Sequence, residues 1–221
     1  MHKRSLRLKA VVFDFDGTLA LLNIDFKEMR RDILDLAATY GIPEDGMERL
    51  FVLEMIAEMR ARIGRRSPGR EGAFSGRALR LVTERELAGS VNSRLFPGVK
   101  EMLVELRRRG IKAGILTRNC LEAVTAIFPD IGDYSDAVVT RDDTERVKPH
   151  PDHIRAVLRI LDEEPAHSAM VGDHPMDILV GKEVGALCVG VLTGYSGIAD
   201  LQGAGADLIL ERASDIIACL E

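Results

Sequence analysis

Residues 9–13 (KAVVF) are apolar after the first position and rich in β-branched side chains. A strand with one wet face alternates apolar and polar positions, whereas an unbroken apolar run fits a parallel strand covered on both faces. Similar runs recur at 111–116 (IKAGIL), 137–139 (AVV), 169–171 (AMV), 187–192 (LCVGVL) and 207–210 (DLIL). Between them the apolar positions return at helical spacing. Residues 98–109 place Val99, Met102, Leu103 and Leu106 on one face, and Gly110 closes that helix. Residues 152–162 do the same with Ile154, Val157, Leu158 and Leu161, with Asp152 as the expected cap, and 177–184 runs up to Gly185. This alternation predicts an α/β fold: a Rossmann-like parallel sheet with helices on both faces.

From about residue 21 to 96 the alternation stops. Residues 26–40, 44–63 and 73–88 read as helices, 64–72 (GRRSPGREG) reads as a break, and no strand is expected. The pattern therefore predicts a core domain made of 1–20 and 97–221, with an all-helical cap domain, 21–96, inserted after the first strand.

The composition is that of an ordinary globular chain: 221 residues, 46% hydrophobic and 29% charged. A net charge of -5 gives no reason to expect nucleic acid or a membrane surface as partner. The basic opening MHKRSLRLK is followed by too short an apolar run for a signal segment, and no stretch is long enough to span a bilayer. Cys120, Cys188 and Cys219 are an odd, widely spaced set, which reads as reduced thiols in a cytoplasmic protein.

In open α/β sheets, ligands gather at the carboxyl ends of the strands. The first apolar run ends in Asp14-Phe15-Asp16-Gly17-Thr18, the second in Thr117-Arg118-Asn119, and the third leads by a loop to Lys148-Pro149-His150-Pro151. The fourth ends in Gly172-Asp173-His174-Pro175-Met176-Asp177. Residues i and i+2 of a strand point the same way, so Asp14 and Asp16 share a side and Phe15 turns away. Two carboxylates about 5 Å apart repel by roughly 3 kcal/mol at an effective dielectric near 20, and Asp173 adds to this. Either one carboxyl keeps its proton or a cation sits among them. A set of hard oxygens suits Mg²⁺, which shares its shell with phosphate, and Lys148 and Thr117 then face phosphate oxygens.

These residues, DFDGTL at 14–19, LTRN at 116–119, KPHP at 148–151 and GDHPMD at 172–177, resemble the haloacid dehalogenase (HAD) superfamily along nearly the whole chain. The position and helical character of the insert are similar to the phosphoglycolate phosphatase-like branch. The resemblance implies that Asp14 is the nucleophile and forms an aspartyl-phosphate, and that Asp16 is the general acid and base. It implies further that Thr117 holds phosphoryl oxygens and Lys148 neutralises them, with Gly17, Thr18, Arg118 and Asn119 lining the substrate. Mg²⁺ would be held by Asp14, the backbone carbonyl of Asp16 and Asp173, with Asp177 ligating it through water or orienting Lys148.

True dehalogenases of the resembled superfamily lack an acid at this position, having no leaving oxygen to protonate, so the resemblance implies that Asp16 favours phosphate esters. Two departures bear on the substrate: Ala20-Leu21-Leu22-Asn23 stands where the branch often carries an acidic–hydroxyl pair, and His174 stands where serine is common. The expected activity is Mg²⁺-dependent hydrolysis of a small phosphorylated metabolite. The alternatives are a β-phosphoglucomutase-like phosphotransferase and, in a different class, a phosphoacceptor signalling domain. The arginine-rich stretch from Arg60 to Arg80 reads as solvated surface, with Arg66 or Arg70 as candidates to bind an anionic group of the substrate.

Overall fold

The computed structural model describes residues 7–220. Residues 1–6 of the basic opening lie outside the described residues. The chain forms two compact units, Asn23–Val91 and the remainder, Met1–Leu22 with Asn92–Glu221 over its described residues.

In the larger unit the apolar runs become β1 (Ala10–Asp14), β4 (Lys112–Leu116), β5 (Ala137–Val139), β6 (Ser168–Gly172), β7 (Leu187–Val191) and β8 (Leu208–Leu210). They form one six-stranded sheet in the order β5-β4-β1-β6-β7-β8. Every pairing is parallel, with Asp14 beside Leu116 and Phe13 beside Val171. The intervening helices are α4 (Val99–Arg108), α5 (Leu121–Ile127), α6 (Ile131–Tyr134), α7 (Pro151–Leu161), α8 (Pro175–Val184) and α9 (Ile198–Gly203). Ala10, Val12, Leu116, Val139 and Met170 from the strands pack with Ile154, Val157, Leu158 and Leu161 of α7 and Val180 of α8. Full burial of each such aliphatic side chain is worth roughly 1.5–3 kcal/mol, so this layer fixes the strand ends that carry the polar motifs.

Several elements differ from the expectation. Ala20–Leu21 (β2) and Arg94–Leu95 (β3) pair as a short antiparallel ribbon in a region where no strand was expected. Two-residue strands hold too few positions to show a period. Helices α5 and α6 follow β4 without having been anticipated, because they are too short for an amphipathic repeat. The first turn of α7 is capped by His150, whose Nδ1 accepts the Asp152 N–H, and not by Asp152; Pro151 occupies the first helical position. Helix α8 likewise begins two residues early, at Pro175, under a His174 cap.

The smaller unit is a bundle of α1 (Phe26–Ala38), α2 (Val52–Arg66) and α3 (Glu71–Ser90). Asp25 caps α1 by accepting the N–H groups of Lys27 and Glu28. Met29 and Ile33 of α1, Met55, Met59 and Ile63 of α2 and Phe74 and Ala78 of α3 are buried. The expected helix 44–63 starts only at Val52, because residues 44–50 turn. Arg30 holds those turns by donating to the carbonyls of Leu50, at 2.7 Å, and Met47. The expected break 64–72 shortens to Ser67–Arg70 between α2 and α3.

Candidate active site

The polar residues of the larger unit converge at the carboxyl ends of β1, β4 and β6. Directly after β1 the chain turns back: Leu19 and Ala20 both donate to the Phe15 carbonyl, and Gly17 donates to Ala20. Phe15 is fully buried beside Asp14. Gly17 has φ +75°, and a Cβ there would lie 2.5 Å from Asp173 Oδ2, so conformation and space both demand glycine.

Lys148 joins the acids. Its Nζ lies 2.6 Å from Asp14 Oδ1 and 2.6 Å from Asp177 Oδ1, with all three side chains almost fully buried. Carboxylate oxygens of Asp14, Asp173 and Asp177 lie within 4.8 Å of one another. Asp177 spends its other oxygen on the His174 N–H at 3.1 Å, so its carboxylate both closes the α8 cap and orients Lys148. Asp173 accepts the Tyr195 N–H at 3.1 Å and the Thr18 hydroxyl at 3.4 Å. The loop after β7 closes this side. Thr193 donates its hydroxyl to the Gly17 carbonyl at 2.6 Å, and a Cβ on Gly194 would come within 1.8 Å of Asp173 Oδ2.

Thr117 and Asn119 are buried at the end of β4. Thr117 Oγ1 accepts the Asn119 N–H at 3.1 Å, which leaves the hydroxyl proton to donate elsewhere. Arg118 does not share this arrangement: its Nη1 donates to the Lys148 carbonyl at 2.7 Å and contacts Met176 Sδ at 3.2 Å.

The electrostatics follow from four acids facing one ammonium. Burial raises the Asp14 carboxyl well above its usual range, and Asp177 and Asp173 add to the rise while Lys148 opposes it. Asp16 is pushed up to about 7, first by burial and then by Asp173. Asp173 rises to about 6, by burial and by Asp177. Burial pulls Lys148 down, but Asp14 and Asp177 outweigh it and the net shift is upward. The donor set is all hard oxygen and short of positive charge, which fits a divalent ion such as Mg²⁺. The carboxylates of Asp14 and Asp173 would hold it with the Asp16 carbonyl, beside Asp177.

Three residues that sequence reasoning did not assign to the site are part of its build: Thr193, Tyr195 and His153. His153 is fully buried in the first turn of α7, and its Nδ1 accepts the Lys148 N–H at 3.0 Å. Arg66 and Arg70, the candidates to bind a substrate anion, are engaged within the smaller unit. Arg66 donates to the Gly41 carbonyl at 2.6 Å, and Arg70 lies 4.8 Å from the centre of the Tyr40 ring.

The family model of haloacid dehalogenase-like hydrolases matches residues 8–185. The pyrophosphatase PpaX of Bacillus cereus (strain ATCC 10987 / NRS 248) is 36% identical over 127 residues, which are 57% of this chain and 59% of that protein. The pyrophosphatase PpaX of Bacillus cereus (strain G9842) is 30% identical over 225 residues, spanning 97% of each. Among solved structures, CbbY from Rhodobacter sphaeroides in complex with phosphate superposes with TM-score 0.65 at 26% identity, covering 96% of this chain and 99% of that one. A predicted phosphoglycolate phosphatase from Haemophilus somnus 129pt has the same fold, with TM-score 0.64 at 20% identity over 96% and 97%. The chain belongs to the haloacid dehalogenase-like hydrolases.

Proposed function

We propose that this hydrolase is a Mg²⁺-dependent phosphatase that cleaves a small phosphomonoester through an aspartyl-phosphate on Asp14. The observation that carries the reading is the buried Lys148 ammonium shared by Asp14 and Asp177, with Asp173 beside them and too little positive charge for the acids present. When bound, Mg²⁺ would supply charge stabilisation for the phosphoryl oxygens.

Asp14 attacks phosphorus with a carboxylate oxygen, the ester P–O bond breaks, and Asp16 gives its proton to the leaving oxygen. A water then attacks phosphorus and passes a proton to Asp16; the bond to Asp14 breaks and phosphate leaves. An Asp16 carboxyl raised to about 7 is suited to hold the proton it must give up at neutral pH. Lys148 neutralises the nucleophile and the phosphoryl oxygens, and Thr117 donates its hydroxyl to one of them. Asn23–Val91 acts as the cap that selects the substrate.

The relatives named pyrophosphatase favour a second substrate for the same chemistry, inorganic pyrophosphate, in which phosphate replaces the alcohol as leaving group. The test is phosphate release from p-nitrophenyl phosphate, a panel of phosphomonoesters including phosphoglycolate, and pyrophosphate, each with Mg²⁺ and with chelator. Turnover should require the metal, and Asp14→Asn should lower it about ten-thousand-fold or more. Persistent turnover in that variant removes the covalent mechanism. Transfer that depends on a sugar bisphosphate would instead indicate a phosphomutase.

A further inference from the structure

Lys148 is held at three points. Its ammonium lies between Asp14 and Asp177, as described. Its backbone N–H donates to His153 Nδ1 at 3.0 Å, and its carbonyl accepts from Arg118 Nη1 at 2.7 Å. The last two contacts are made by side chains on different elements, one at the end of β4 and one in α7. Neither contact is made to the acids themselves, and each occupies a main-chain group of the residue whose ammonium must meet the phosphoryl group.

The chemistry of the histidine is restrictive. An imidazole accepts at Nδ1 only if that nitrogen carries no proton, so the ring is neutral and its proton sits on Nε2. Nε2 is buried and has no partner in hydrogen-bond geometry. A residue kept there for packing alone would need no such acceptor, and an aliphatic side chain would fill the space without an unmatched N–H. Among the described residues, the one hydrogen bond of full geometry that the ring makes is the one from the Lys148 N–H.

We infer that His153 and Arg118 are positioning residues that clamp the main chain of Lys148 on both sides and so set where its ammonium stands relative to Asp14. Arg118 is thereby moved from lining the substrate to supporting the lysine. The inference rests on the phosphatase reading for its kinetic consequence but not for the clamp itself. Displacing a charged group by a fraction of an ångström to an ångström costs rate and not affinity, because the ammonium acts most strongly on the charge of the transition state.

The experiment compares His153→Leu, which removes the acceptor, with His153→Asn, whose Oδ1 can replace Nδ1, and with Arg118→Gln. Two readouts are taken on folded full-length protein: exchange of the Lys148 amide by NMR, and kcat and KM for p-nitrophenyl phosphate. His153→Leu should speed exchange of that amide and lower kcat roughly tenfold to a hundredfold at nearly constant KM, with most of both effects reversed in His153→Asn. Arg118→Gln should also lower kcat with KM nearly unchanged. Unchanged Lys148 exchange in His153→Leu overturns the clamp. An asparagine variant as impaired as the leucine variant reduces His153 to packing, and a rise in KM alone for Arg118→Gln returns that residue to substrate binding. A wild type inert on the aryl ester sinks the phosphatase reading; the clamp is then decided by the exchange result alone.

Discussion

Each unit of this chain holds one cation shared by two acids, and all four contacts are 2.6 Å long. In the α/β unit Lys148 meets Asp14 and Asp177, with side chains 3%, 11% and 1% exposed. In the helical unit Arg85 meets Glu28 and Asp32, with side chains 35%, 46% and 24% exposed. The distances are the same and the physics differs. Water and salt screen the Arg85 pairs, and each partner would remain well solvated alone. The Lys148 group has lost that solvation, so every added acid raises the cost of its neighbours' charge, and relief has to come from a ligand. Equal geometry therefore marks a surface brace in one unit and, on the proposed reading, a reactive centre in the other; burial and the surplus of acids tell them apart.

Three substitutions separate the two cases. Lys148→Met has the largest expected effect. It removes the ammonium shared by Asp14 and Asp177, and activity on an aryl phosphate should fall a hundredfold to a thousandfold. Stability should fall by about 3 kcal/mol at pH 8 and by less at pH 5, because burial raises the Asp14 carboxyl and a protonated Asp14 no longer needs the ammonium. Thermal melts at the two pH values measure this, and equal loss at both would remove the distinction.

His153 gives an intermediate effect with a definite sign. Burial lowers its pKa to about 3, with the positive charges of Lys148 and Arg118 acting in the same direction; the Thr140 carbonyl and Asp143 pull weakly the other way. A depressed basic group binds its proton more readily when unfolded. Its contribution is therefore complete above pH 6.5 and is lost as pH falls towards 3, at about 1.4 kcal/mol per pH unit. Asp16 and Asp173 work in the opposite sense, because raised carboxyl groups favour the folded state as pH falls from 7 to 4. The difference between wild type and His153→Asn isolates the histidine: the variant should lose less stability between pH 6 and 4, and parallel curves would contradict the assignment. Arg85→Ala is the smallest case. It should shift the melting temperature slightly in low salt and not at all in high salt. A large, salt-independent loss would show that solvent does not screen this pair.

The sequence carried these two regions with different clarity. Largely apolar runs mark the six parallel strands because most of their positions are buried, and the motifs at 14–18, 117–119 and 172–177 sit where such a run ends, while 148–151 follows the third run across a loop. Asp14, Lys148, Asp173 and Asp177 were legible because acids and a lysine beside apolar strands conflict with solvation. His153 was not: it lies among the buried residues of an amphipathic helix, and only its spacing of five from Lys148 hints that its ring returns to that residue. The segment 44–51 (EDGMERLF) looked helical from its apolar spacing, but Arg30 reaches its carbonyls from α1, a contact that no local pattern records. Arg66 and Arg70 were attractive as anion binders by charge alone, until the Gly41 carbonyl and the Tyr40 ring accounted for them.

The two-residue ribbon has a consequence for how the fold is encoded. Ala20 pairs with Leu95 and Leu21 with Arg94, so the chain leaves and re-enters the α/β unit side by side. The whole of Asn23–Val91 is topologically the loop of a single hairpin. Closing so long a loop costs only about 3 kcal/mol more than closing a tight two-residue turn, an amount that a few buried residues of the bundle can offset. An insert attached in this way can be exchanged, lengthened or deleted at its stem while the parallel sheet keeps its register, which makes the ribbon the natural splice point for grafting a different helical module onto the same sheet.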